Sequence, residues 1–147
     1  MMKIKALGHV VLKVTDLEKA EEFYNGVLGL PTCAHLDQDG FKMIFFSLGN
    51  HHDFAIMEVS GGDKDQDENR VGLHHVAFNI GTTLDDLREA KKKLDGAGVS
   101  AEPIDHEVTQ SLYLEDPDGN GVELYVDVSE SWRKDPQRVA QMMPLEL

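Results

Sequence analysis

Cysteine is nearly absent from this chain of 147 residues, Cys33 being the only one, and Lys plus Arg number 14 against 27 Asp plus Glu. One thiol excludes an internal disulfide framework and any cysteine-rich zinc site, so a bound metal would take histidine and carboxylate ligands. The shortage of cations leaves a formal charge of −13, which repels a phosphate backbone and argues against a nucleic-acid partner. No apolar run approaches the roughly 18 residues that a membrane span needs. The opening MMKIKALGHVVLKV alternates lysines with apolar residues, unlike the apolar centre and small-residue cleavage site of a secretion signal. A cytoplasmic protein without membrane attachment is expected. What is present, 41% hydrophobic and 28% charged residues, is the composition of a folded domain.

Residues 4–14 alternate apolar and polar with β-branched side chains, which predicts a strand. Asp16 is placed to cap a helix whose apolar positions are Leu17, Ala20, Phe23, Tyr24 and Val27, with Gly29 to end it. Two or three strands follow, at 41–48 and 52–59. SGGDKDQDENR, with no apolar residue, then reads as a solvated connector. Beyond it the pattern starts again. A strand is expected at 73–80, a helix begins at Thr83 with Asp86 completing a capping box, and strands are expected at 111–114 and 122–126. HVVLKV at His9 is answered by HVAFNI at His75, and each leads into a helix ended by glycine.

The organisation is therefore a first βαβββ module at 1–60, a connector at 61–71, a second module at 72–127 and a tail at 128–147. A module that cannot bury its own sheet face pairs with its copy. The expected class is α+β, two paired βαβββ modules forming a curved mixed sheet around a metal-containing cleft, where a ligand site belongs.

A lone histidine is more often a surface residue than a ligand, but the repeat puts His9 and His75 at equivalent strand starts, and Glu123 lies on the last strand. Two histidines and a carboxylate on three strands make a facial triad, which suits Fe(II), or Mn(II), with open positions for a chelating substrate and dioxygen. The competing reading is a solvent-facing Glu123 with coincidental histidines.

HVVLKVTDLEKAEEFYNGVLGL, GLHHVAFNI and SLYLEDPDGNGVELYVD resemble the vicinal oxygen chelate superfamily, which includes glyoxalase I, fosfomycin-resistance proteins and extradiol catechol dioxygenases, over residues 4–127. The resemblance implies metal ligation by His9, His75 and Glu123. The segment HHDFAIMEV is similar to small one-domain extradiol dioxygenases, which implies an acid/base role beside the iron for His52, with His51 pointing away. By the same resemblance Tyr113, ten residues before Glu123, and His106 hydrogen-bond the substrate. The implied reaction is Fe(II)-dependent extradiol cleavage of a small aromatic diol by dioxygen, in a homodimer or higher homo-oligomer. Phe45, Phe78, Tyr125 and the tail around Trp132 are candidates for pocket selectivity.

Three alternatives stay open. A glyoxalase I-like lyase would use Glu58 as an extra ligand, because six residues separate it from His52 and a regular strand would put both on one side. A fosfomycin-type transferase needs cations for its phosphonate that this acidic chain barely offers. A metal-free aromatic-binding resistance module shares the fold but typically loses the ligands kept here. His35, His51 and His74 receive no role, and Cys33 is read as a packing residue.

Overall fold

Asp16 does what its position suggests: its side chain accepts a hydrogen bond from Lys19 N at 3.1 Å and starts a helix directly after the first strand. In the computed structural model, which describes residues 1–62, 69 and 71–147, the chain divides into two compact units, Met1–Asp65 and Gln66–Leu147. Most of the expected connector lies outside the described residues.

The first unit runs β1 (Val10–Val14), α1 (Leu17–Glu21), β2 (Thr32–Gln38), β3 (Phe41–Phe46) and β4 (Phe54–Glu58), with sheet order β1-β4-β3-β2. β1 pairs parallel with β4 and the other two pairs are antiparallel. The expected strand at 4–14 is thus shorter at its start. Ile4 and Leu7 are almost fully exposed, so alternation there has no face to bury and, among the described residues, no partner strand to hold it.

After Glu21 the helix widens into a π-helical turn, Glu22–Val27, with Leu28 N donating to Phe23 O at 2.9 Å. The extra residue per turn brings the adjacent rings of Phe23 and Tyr24 into the core together, stacked edge-on at 5.0 Å. Gly29, at φ 80, ends the turn. Leu12, Val14, Ile44, Phe46, Phe54 and Ile56 supply the sheet side of this core, each worth about 1.5–3 kcal/mol when removed from water.

The second unit repeats the design: β5 (His75–Gly81), α2 (Leu84–Gly96), β6 (Glu102–Asp105), β7 (Thr109–Glu115), β8 (Gly121–Asp127) and a short β9 (Met143–Pro144), in sheet order β5-β8-β7-β6-β9. β5 and β8 are parallel, like β1 and β4. Thr83 and Asp86 form both halves of the capping box. α2 buries Leu87 and Leu94, and the sheet buries Leu112, Leu114, Val122, Leu124 and Val126. Two βαβββ modules are thereby present, each with a mixed sheet.

The tail is not loose. Two 3-10 turns, Ser131–Arg133 and Pro136–Ala140, lead it to β9, which pairs with β6 through Ile104–Pro144 and Asp105–Met143 and covers that edge of its own sheet. No helix among the described residues is long and apolar enough to cross a membrane.

Candidate active site

Strand register sorts the second unit's polar residues onto one face. Tyr113 on β7 stands opposite Glu123 on β8, which stands opposite Ala77 on β5, and the next rows are Ser111–Tyr125–Asn79 and Glu115–Gly121–His75. Because side chains alternate across a strand, His75, Ser111, Tyr113, Glu123 and Tyr125 share the face that α2 does not cover.

His75 and Glu123 meet there, Nε2 to Oε2 at 3.0 Å. Two cis ligands of an octahedral ion with bonds of about 2.1 Å lie roughly 3 Å apart, so this imidazole–carboxylate pair has the donor chemistry and the spacing of two metal ligands. The other carboxylate oxygen, Oε1, accepts a 2.5 Å hydrogen bond from Ser111 Oγ, and both residues are buried. Ser111 therefore fixes the carboxylate and leaves Oε2 toward His75. Gly121 lets the strands approach, since a Cβ there would stand 2.4 Å from His74 O and 3.1 Å from His75 Cβ. His74, expected on the opposite side of the strand, instead turns its Nδ1 to within 2.7 Å of His75 Nδ1. β5 begins at His75, so alternation does not govern the residue before it. His74 then orients the ring on its far side, as outer partners of ligating histidines do.

Tyr113 adjoins this pair, its ring edge-on to His75 at 5.5 Å. Its hydroxyl is 2.9 Å from His106 Nε2, and His106 Nδ1 is 2.6 Å from the carbonyl of Gln141 in the tail. A carbonyl only accepts, so Nδ1 carries a proton, and in the neutral ring Nε2 is the lone pair that faces the phenol. Burial first, then the negative charge and accepting oxygens of the nearby Glu123, push the Tyr113 pKa up to about 12, so the phenol keeps its proton.

The first unit gathers a different set. His9, immediately before β1, His51 and His52 bring one ring nitrogen each within 4.8 Å of one another. The His9 and His52 rings lie 4.1 Å apart, and Phe45 packs edge-on to His52 at 5.4 Å. Burial, then the positive charge that His9 and His51 would carry, lowers the His52 pKa against a smaller upward pull from Asp53. His51 does not point away as expected: Asn50 Oδ1 accepts from its backbone N at 2.9 Å and lies 3.1 Å from its Nδ1, which turns the ring into the cluster.

By register, Ala55 opposite Val11 and Phe45 holds the place that Glu123 holds opposite Ala77 and Tyr113. The first unit's counterpart of the carboxylate is thus a methyl group. Glu58 lies three residues further along β4, on the face shared with Phe54 and Ile56. There Oε2 accepts from Leu17 N at 3.2 Å and Oε1 pairs with Lys42 at 3.6 Å. Spacing from His52 misassigned this face because His52 precedes the strand. Cys33 is exposed rather than packed, and His35 contacts Glu21 at 3.1 Å. Trp132 is exposed beside Arg133, whose guanidinium lies 4.7 Å over its ring.

Ser111, His74 and Gln141 are the participants that reading the sequence misses. A period-2 count back from Tyr113 would have found Ser111. Nothing in the sequence marks a backbone carbonyl brought in by the tail.

A family model described as the Glyoxalase/Bleomycin resistance protein/Dioxygenase superfamily matches residues 6–124. Biphenyl-2,3-diol 1,2-dioxygenase 2 of Rhodococcus globerulus is 35% identical over 122 residues, 82% of this chain and 62% of its own length. The chain therefore spans less than two thirds of that relative. Lactoylglutathione lyase of Neisseria meningitidis serogroup A is 32% identical over 124 residues, 80% of this chain and 88% of the lyase. Among solved structures, the glyoxylase/bleomycin resistance protein/dioxygenase domain from Frankia sp. EAN1pec superposes with a TM-score of 0.72 at 24% identity, over 85% of this chain and 99% of that domain, a likeness of fold.

Proposed function

Because the chain belongs to the glyoxalase/bleomycin resistance protein/dioxygenase superfamily, we propose that it is an Fe(II)-dependent extradiol dioxygenase acting on a catechol-type aromatic diol. His9, His75 and Glu123 would hold the ion, which when bound supplies the electron transfer between diol and dioxygen that neither undergoes unaided at a useful rate.

The observation that carries this reading is the row Gln141–His106–Tyr113 set against the His75–Glu123 pair. A diol needs one hydroxyl deprotonated and the other held by a hydrogen bond. Tyr113 keeps its proton and donates to an oxygen before it, while neutral His106 takes up a proton at Nε2 with its ring orientation set by the tail. His52, with a lowered pKa, is available as a base in the first unit. Phe45 and Ala55 make the surroundings of the first unit's site apolar, which suits an aromatic ring better than a charged thiol conjugate. The methyl group of Ala55 in the position of a fourth carboxylate also favours a two-histidine, one-carboxylate set over the lyase chemistry of the lactoylglutathione lyase relative.

Oxygen uptake tests the reading. Protein reconstituted anaerobically with Fe(II), then mixed with air-saturated catechol or 2,3-dihydroxybiphenyl, is expected to consume one dioxygen per diol and form a yellow ring-opened product. No uptake from metal-loaded protein, with turnover of a hemithioacetal under Ni(II) or Zn(II), would move the assignment to the lyase.

A further inference from the structure

We propose that the first unit carries a nitrogen-only metal site, His9–His51–His52, which takes Cu(II), Zn(II) or Ni(II). The site uses two residues of the proposed catalytic set, so its occupancy would inhibit turnover. The inhibition rests on the dioxygenase reading and the binding does not.

Three imidazole nitrogens within 4.8 Å of one another need to close by roughly 1.5 Å to surround a tetrahedral ion, whose nitrogen ligands stand roughly 3.3 Å apart at bonds of about 2.0–2.1 Å. His9 and His51 are exposed and His52 half-buried, so the rings turn without displacing the core.

The segment that presents them is held in place. Asp53 Oδ2 accepts from Leu48 N at 2.6 Å and Asn50 N at 3.4 Å, Ser47 Oγ donates to Asn50 O at 2.5 Å, and Asp53 N donates to Phe46 O at 2.9 Å. β1 is tied to the same residue, Val10 N donating to Asp53 O at 3.3 Å, which brings His9 beside the loop. Asn50 Oδ1 can only accept from His51 Nδ1, and this leaves the Nε2 lone pair as the ligand.

The set contains no carboxylate, and the nearby Asp53 is engaged by backbone donors. Affinity rises toward Cu(II) at either donor set, and three neutral imidazoles without a carboxylate suit Cu(II), Zn(II) and Ni(II) better than hard Mn(II), which the carboxylate of Glu123 helps to hold. The two donor sets therefore differ in how strongly they discriminate against the harder ions, and His9 can serve only one of them at a time.

Chelator-competition titration of Zn(II), with Cu(II) followed by electron paramagnetic resonance, tests the site in the full chain. The double variant His75→Ala/Glu123→Ala removes the two proposed ligands of the second unit and is expected to keep one tight equivalent with a three-nitrogen Cu(II) spectrum. Adding His51→Ala should weaken it by more than the roughly 100-fold that loss of an outer partner costs. In the otherwise intact chain, His51→Ala should leave Fe(II)-dependent turnover unchanged and relieve its inhibition by Zn(II). No tight equivalent in the double variant, or one insensitive to His51→Ala, overturns the proposal. Retained His51-dependent binding in a protein that consumes no oxygen with any diol would sink the dioxygenase reading alone.

Discussion

Replacing Ser111 by alanine deletes one hydroxyl, and the structure says where the effect should fall. Ser111 is fully buried and donates at 2.5 Å to Glu123 Oε1, while Oε2 faces His75 at 3.0 Å. A hydrogen bond to a charged group contributes about 1.5–3 kcal/mol. If all of it holds the carboxylate in its ligating orientation, the metal affinity of Ser111→Ala falls roughly 10- to 140-fold at about 1.4 kcal/mol per tenfold. That range overlaps the roughly 10- to 100-fold cost typical of removing an outer partner of a metal ligand. The assay is Fe(II) or Mn(II) binding against a fluorescent chelator, with circular dichroism to confirm folding. Ser111→Thr, which keeps the hydroxyl and suits a strand, should recover most of the affinity. Wild-type affinity in folded Ser111→Ala would refute the argument that this hydroxyl fixes the carboxylate.

Four further outcomes are expected. His75→Ala and Glu123→Ala should each abolish tight iron binding, whereas His52→Ala keeps the metal and loses about 10²–10⁴-fold in turnover; iron analysis beside oxygen uptake separates the two. Gly121→Ala forces a methyl group against His74 O and His75 Cβ and should cost about 1–3 kcal/mol in urea unfolding, together with metal affinity. In metal-free protein, the Tyr113 phenol titrates at about 12 when folded against about 10 unfolded. Its contribution to stability is thus full below pH 10 and is lost as the pH rises toward 12; thermal unfolding between those values should slope more steeply for wild type than for Tyr113→Phe. Truncation after Ala140 removes the carbonyl at His106 Nδ1, and should lower kcat more than metal content, with a shifted pH profile.

The repeated βαβββ plan was legible because each module carries its own strand, capped helix and terminating glycine, and His9 and His75 mark equivalent places. Several elements were not. β2 is largely exposed on an edge and β6 is four residues with Pro103 inside it, so neither shows the alternation of a half-buried strand. The π-helical turn depends on packing Phe23 and Tyr24 together, which periodicity does not reveal. The candidate ligands and their neighbours are named from spacing and resemblance, whereas the contacts that orient Glu123, His75 and His106 depend on strand register and on where the tail returns. Glu58 shows the limit most plainly: counting from His52 put it on the wrong face, and only the pairing of Val14 with Glu58 on β4 shows that it serves the helix.

The most direct measurement is mass spectrometry of the product formed from catechol by Fe(II)-loaded protein under isotope-labelled dioxygen. Incorporation of both labelled atoms into one ring-opened molecule is the predicted result. Recovery of unlabelled diol from protein that holds its iron would contradict the proposed function.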